Sequence, residues 1–453
     1  MKTGITRYLC AAAELDRNFR QKVLEQIVYN RYCFVAPSYG ADIAKVAVQC
    51  IQAKKRDFFM DCALLFLLGW FVTAIFTDLL ISWPLFLSFL VNIGFRIYPY
   101  WYVTNKLSSE NISSDKAPDL KEIGNDFSKK MEEMNQEGNV IYFGGDSPFV
   151  GAGNRLSGWS FLAETKIKNS DEYIKLNNAD LYTYIDSKMK ELSISHMTTA
   201  NALYVDGSKI RNDSRFLKKE MSSPKRMIDA KFLQEYTELE EEHVRFYKSI
   251  QVTAWDGDFV FSTFFRVHFT PQNLFVEMQN YLLPPLKKEF YAIDKHGSDI
   301  PVPFIIKSIL SSIIPTFTGL FKSIGGVFRG FNEFVAQSYK KEMTRTEIKH
   351  NQIFNYGARK SIRELAADHK LHNFFQESDV DMYRKRIEKR LLQSILEYLE
   401  EVNVDTREFK ARENVIVNNG VMVTGGGQIN NSQIAGKGIF QNTFVKVNEQ
   451  MRN

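Results

Sequence analysis

Four groups of residues in this chain have the type and spacing to do chemistry. The strand-like run Asn139-Val140-Ile141-Tyr142-Phe143 leads into Gly144-Gly145-Asp146-Ser147 and, past Pro148-Phe149-Val150, into Gly151-Ala152-Gly153. A glycine-rich loop behind a strand can cradle phosphate with its free backbone N–H groups. Gly144, Gly145, Asp146, Ser147, Gly151 and Gly153 are therefore the candidate ligand-binding residues. The loop lacks the Lys-Ser/Thr ending of a P-loop, and a plain structural turn accounts for the same residues. A second group, Glu240-Glu241-Glu242-His243 with Asp256, Asp258 and His268, has acid–base and metal-binding side chains but no ligand spacing. A solvated charge run beside a sheet-surface histidine is the better account. The chain names no catalytic residue, and neither a metal nor a cofactor is expected.

The third group is Asp61 and Asn92, polar side chains inside long apolar runs, where a polar group is a functional suspect. Asp61 lies within a turn of the run's charged edge, where water can reach it. The fourth is Arg96 with Tyr98, Tyr100, Trp101 and Tyr102, the aromatic and snorkelling cationic residues of a membrane interface.

The last two groups need a membrane to make sense, and the stretch Phe58–Val103 supplies one. A single helix of that length would overshoot a hydrocarbon core of roughly 30 Å, which about 20 helical residues span. Two spans, over 58–78 and 84–102, fit it, with Asp78 and Ser82-Trp83-Pro84 forming the turn. Lys54-Lys55-Arg56 precedes the first span, and Arg96 and Lys106 end the second, so both termini are expected on the cytoplasmic side of a cell inner membrane.

With 58 basic and 53 acidic residues and a net charge of +5, the chain has no concentrated basic face, and no nucleic-acid partner is expected. Its four cysteines form no C-x-x-C pair, and neither a disulfide framework nor a zinc site is indicated. The N-terminus has no apolar run of the signal-peptide kind.

The domain reading follows the composition. Residues 1–57 form short cytosolic helices that cap the soluble part, with Ile43–Ala53 leading into the membrane. The hairpin occupies 58–103 and a polar linker 104–138. An α+β domain at 139–300 is marked by the strand Ala202–Val205 and a hairpin turning at Asp256-Gly257, with Leu274–Met278 continuing it. In its second strand Phe259, Phe261, Phe265, Val267 and Phe269 share one face.

Residues 301–335 carry the helical stripe Ile305, Ile309, Ile313, Phe317, Leu320, Ile324, Val327 and Phe331, interrupted by Pro315 and glycines. This segment is expected either to lie in the headgroup plane or to pack on the transmembrane hairpin or a neighbouring subunit, with a third span as the remaining alternative. Residues 336–412 are helical and charged, ending in the stripe Tyr383, Ile387, Leu391, Ile395, Leu399 and Val402. At 413–453 a β tail is expected, with Val415–Val417 paired to Val421–Val423 through Asn419-Gly420. The fold class is thus an α+β membrane protein: a two-helix transmembrane hairpin, a large mixed cytosolic domain, a helical C-terminal region and a short β tail.

Several pieces carry a resemblance. They are Arg7-Tyr8-Leu9-Cys10-Ala11-Ala12-Ala13 with Ala36-Pro37-Ser38, Ser147-Pro148-Phe149-Val150-Gly151, Gly158-Trp159-Ser160-Phe161 and Tyr281-Leu282-Leu283-Pro284-Pro285. To these add Gly357-Ala358-Arg359, Ser361-Ile362-Arg363-Glu364-Leu365 and Asn418-Asn419-Gly420-Val421-Met422. Together they resemble a group of bacterial membrane proteins common in actinobacteria, a likeness that covers nearly the whole chain and implies no activity. The C-terminal glycine-rich run is also similar to short tails on bacterial conflict and signalling proteins. The function expected is a membrane-anchored scaffold or effector/sensor that assembles in response to a ligand or an operon-encoded protein partner. It would be a homo-oligomer in contact with the lipid bilayer, in a stress or phage-defence setting. The alternatives are an oligomeric channel and a membrane-tethered nucleotide-processing enzyme.

Overall fold

The computed structural model describes residues 2–30, 32–77, 82–107, 138–294 and 302–419. The linker turn at Asp78, most of the polar linker and the tail beyond Asn419 lie outside them. Its helices are α1 (Lys2–Leu15), α2 (Arg17–Val23), α3 (Ile43–Thr77), α4 (Ser82–Lys106), α5 (Asn178–Lys190), α6 (Ala230–Glu235), α7 (Val302–His350), α8 (Ile362–Ala366), α9 (Phe374–Glu401) and α10 (Arg407–Asn419). A π-helix at Leu24–Tyr29 follows α2. The strands are β1 (Val140–Phe143), β2 (Asn154–Glu164), β3 (Met197–Asp206), β4 (Val244–Ala254), β5 (Phe259–Phe269) and β6 (Asn273–Leu283).

One six-stranded sheet in the order β1-β3-β4-β5-β6-β2 organises the part of the chain outside the long apolar helices. Strand β1 runs parallel to β3, and every other neighbour is antiparallel. The apolar face read in β5 is buried up to Val267, although burial along the strand does not alternate. Phe259, Phe261, Phe265 and Val267 are buried in one core together with α5 and α9, and Tyr182 of α5 lies against Phe246 and Phe265. The opposite face is buried too. There Phe149 stacks on Phe264 at 4.1 Å and is edged by Tyr204, Tyr247 and Tyr281. The Asp-Gly turn is longer than a two-residue hairpin: Ala254 pairs with Phe259, and Trp255, Asp256 and Gly257 all have positive φ (53°, 53° and 95°).

A second core joins the N-terminal helices to the rest. Ile5, Leu9, Phe19, Val23 and Ile27 pack with Ala47 and Cys50 of α3, Val103 of α4, Leu286, Phe290 and Ile362. The expected cap is therefore an integral wall.

Ile43–Ala53 leads straight into the first apolar run, as read: no breaker separates them, and they form one continuous helix, α3. Strand β2 and helix α5 were not anticipated; β2 contains Gly158, which breaks the strand pattern. Residues 301–335 and the start of 336–412 lie in one helix, α7. Finally, Val415–Val417 is not a strand but the end of α10. Phe409 and Ile416, seven residues apart on one helical face, are buried there, and Phe409 meets Phe161 of β2 at 5.3 Å. That burial outweighs the hairpin signal of Asn419-Gly420.

Truncation of a buried aromatic costs about 3–5 kcal/mol. Phe409→Ala is therefore expected to lower the unfolding free energy by about 3 kcal/mol, while Phe375→Ala, at a side chain 68% exposed, changes it by under about 0.5 kcal/mol. Equal effects in denaturant titrations would contradict the packing of α10.

Candidate functional site

Three places in the structure could act: the glycine loop, the cleft behind it, and the seam where α7 meets α3 and α4.

The loop 144–153 is held together as a turn. Gly144 N–H donates to Ala358 O at 2.8 Å, and Phe143 and Ala358 form a parallel bridge, so residues 357–358 extend the sheet past β1. Gly144 and Gly357 approach too closely for a side chain at either position. Gly145 and Asp146 are exposed, and Ser147 Oγ is 3.1 Å from the Tyr281 hydroxyl. Gly151 and Gly153 have φ of 97° and 84°, which glycine adopts readily. Their N–H groups, the ones a phosphate would need, donate to Glu364 Oε1 at 3.1 and 2.9 Å. The loop is thus an anion nest whose anion is the chain's own carboxylate.

Glu364 Oε2 also accepts from Ser361 N–H at 2.6 Å, completing a capping box on α8. Burial pushes its carboxyl up, against the backbone N–H groups that hold it down. Its neighbour Arg363 is fully buried and donates to Tyr39 O and to the carbonyls of Gly257 and Asp258. Burial pushes the guanidinium down to about 10. Residues 361–364 therefore tie the N-terminal segment, the glycine loop and the β4–β5 turn together. Neither residue was singled out as functional from the sequence; the Ser-x-x-Glu capping box was the available signal.

Behind the loop lies a cleft of about 440 Å³. Its walls are Glu25, Gln26 and Ile27 of the π-helix, Cys33–Ala36, Thr344 and Glu347 at the foot of α7, and Phe354, Asn355 and residues 357–360. Single π-turns inside helices recur at functional sites. Cys33 Sγ donates to Asn355 O, and Asn355 in turn accepts from Gly357 N–H and donates to Gly144 O, which ties the cleft floor to the glycine loop. Glu25, Glu347, Arg359 and Lys360 stand exposed in the lining, neither cation in an ion pair with another described residue. The lining offers anion and cation recognition next to an apolar floor. No cluster of metal-ligating side chains occurs among the described residues. The acidic run resolves into separate contacts: Glu241 with Arg215, Glu240 near Arg266 and His268, and Asp258 with Tyr291.

The third place unites the remaining candidates. Asp61 faces Gly326 and Asn92 faces Gly319, each where a side chain on α7 would collide with it or touch it. Asn92 Nδ2 donates to Ser88 O at 2.8 Å, Ser88 Oγ to Thr316 O at 3.1 Å, and Arg96 to Ser311 Oγ at 2.8 Å. Tyr100 stacks on Phe304 at 4.4 Å. Trp101 is not part of this seam; it is exposed and lies 5.9 Å from Tyr98. The stripe read on α7 points mostly outward. Ile309, Ile313, Phe317, Ile324 and Phe331 are exposed, whereas Ser308, Ser312, Thr316, Leu320 and Ser323 are buried. At the base of α3, Arg56 pairs with Glu14 and lies over the Tyr98 ring, and Asp57 pairs with Arg20. Among the described residues, the helices long and apolar enough to cross a membrane are Ile43–Phe76 and Val302–Asn332. Helix α4 is not one of them, since Asn92, Arg96, Pro99 and three tyrosines dilute its apolar run.

The sheet, the helices around it and α7 belong to a described family: the chain is a member of the AbeC-like domain family, whose match covers residues 158–431. That span takes in β3–β6 and α5–α10 and leaves α1–α4, β1 and the glycine loop outside. No curated protein and no solved structure matches the chain.

Leaving buried N–H groups without an acceptor costs about 1–3 kcal/mol each. Glu364→Ala is accordingly expected to lose about 3 kcal/mol of stability or more, and Glu364→Gln, which keeps one acceptor oxygen, clearly less. Equal, small losses in thermal melts would contradict the nest.

Proposed function

We propose that this AbeC-like protein is a bacterial inner-membrane module, anchored by α3 and α4 with its termini and sheet in the cytoplasm, that signals by assembly rather than by catalysis. In this reading a small ligand or an operon-encoded partner enters the cleft and moves the foot of α7. The same helix passes the change to the membrane face, and copies of the chain assemble there as a scaffold or effector in a stress or phage-defence response. The observation that carries the reading is the continuity of α7: one helix lines the cleft at Thr344 and Glu347 and packs on the hairpin from Phe304 to Gly330. The apolar side chains left exposed on α3, α4 and α7 support the membrane setting, since soluble surfaces rarely carry so large a patch.

A channel is the second reading, favoured by Asp61 and Asn92 meeting α7 inside the helical seam. Ser88 and Ser312 there are fully buried, so a pore would have to form between chains. Ion flux in liposomes that is unchanged by Asp61→Leu and Asn92→Leu would exclude these two residues from it.

The main reading is tested by mass and charge. In mild detergent the full chain is expected to scatter as a multiple of 52.4 kDa, and removal of residues 420–453 to lower that multiple without loss of helical signal. Reversing Arg359 and Lys360 to Glu should shift the oligomer distribution while costing under about 0.5 kcal/mol of stability, as exposed sites do. A single-chain mass for full-length protein, unaffected by either change, would contradict it.

A further inference from the structure

We infer that α7 enters the bilayer from the side that holds the β-sheet, turns near Thr316, and returns to that same side, presenting its outer face to the acyl chains of one leaflet. The inference rests on the membrane setting proposed above and adds the path of a helix that length and composition alone would count as a crossing.

The first argument is one of parity. The strands up to Leu282 and the segment from Phe354 through Ile416 share a single hydrophobic core, and α7 is the chain between them. One crossing by α7 would place the two halves of that core on opposite sides of the membrane. The hairpin obeys the same condition, since Ala47 and Cys50 before it and Val103 and Leu107 after it lie in one cluster.

Contacts along the helix give the path. Phe304 stacks on Tyr100, and Thr316 receives the Ser88 hydroxyl, so α7 first climbs α4 away from its base. Gly319 then lies by Asn92 and Leu64, Gly326 by Asp61 and Gly330 by Phe58, so the helix next descends α3 toward its base. Those two bases adjoin, as Arg56 over the Tyr98 ring shows. Pro315, one residue before the apex, lacks the N–H of a regular turn and is where a helix bends. Tyr100 and Ser88 are separated by about 18 Å of helix at 1.5 Å per residue, which falls short of a hydrocarbon core of roughly 30 Å.

The sidedness of α7 is that of a helix in lipid. Its inner face carries Ser308, Ser312, Thr316 and Ser323, all buried, with hydroxyls of Ser312, Thr316 and Ser323 returned to carbonyls of their own helix. Small residues at the helix seam and bulky apolar ones outside invert the soluble pattern. Outside are Ile306, Leu310, Ile314, Phe317, Phe321 and Phe328. Lys307 and Arg329 fall near the two ends, and Lys322 has a stem long enough to reach back to the headgroups.

Cysteines introduced one at a time into a Cys62→Ala parent, whose Cys10, Cys33 and Cys50 are buried, test this path when read with a membrane-impermeant maleimide on intact spheroplasts and after lysis. Trp83→Cys at the hairpin tip should label on intact spheroplasts. Val302→Cys and Asn332→Cys should label only after lysis, and Phe317→Cys in neither state until detergent is added. A bimane on Phe317→Cys, in vesicles of phosphatidylcholine and phosphatidylglycerol, should be quenched several-fold by lipids brominated in the acyl chain. Labelling of Val302→Cys or Asn332→Cys from outside would mean a crossing and overturn the inference. Phe317→Cys labelling as readily as the ends after lysis would mean a helix lying in the headgroup plane. An unquenched bimane would mean that a second copy covers this face. Either result overturns the inference as well. If Trp83→Cys labels only after lysis, the membrane setting itself fails, a result separable from all the others.

Discussion

The constraint on which the architecture depends is that the chain has to close its cores after long excursions. Residues 140–282 and 354–416 complete one core, and the second core includes both feet of the α3–α4 hairpin. Each apolar excursion therefore begins and ends on the same body. The base of the hairpin is fixed to that body by Arg56–Glu14 and Arg20–Asp57, partly buried pairs whose breakage would leave charge uncompensated. A push on the foot of α7 would act between two fixed points, which is the mechanical basis of the proposed coupling between cleft and membrane.

The same economy explains the glycine loop. Backbone N–H groups converging at a turn attract an anion, and here Glu364 fills the place from across the chain. Phe149, on the same loop, plugs the aromatic face of the sheet. A phosphate would have to displace a buried carboxylate to use this nest, so the chemistry that the loop suggests in sequence is spent on holding β1, α8 and the N-terminal segment together. The free polar surface lies one layer away, in the cleft between the π-helix and α7.

Much of this was legible in the residues. The apolar face of β5, the strands around Tyr142 and Tyr204 and the long stripe of α9 follow from burial patterns that act locally. What was not legible depended on distant partners. Phe409 and Ile416 make a helix of a segment whose local turn chemistry favours a hairpin, because β2 supplies the surface they bury against. The stripe on α7 was visible, but its direction was not, since periodicity does not tell a face turned to protein from one turned to lipid. Asp61, Asn92, Arg96 and Tyr100 were picked out one at a time; only the fold places all four along α7. Nothing local distinguishes an amide that will meet a phosphate from one that will meet Glu364.

The central proposal is that the apolar belt of α3, α4 and α7 is a lipid surface attached to the body that holds the sheet. Extraction of membranes from cells producing the full chain, with carbonate at high pH and then with detergent, tests it most directly. The account predicts that the protein stays with the membrane pellet through carbonate and leaves it only in detergent. Release of most of the protein into the carbonate supernatant would contradict it.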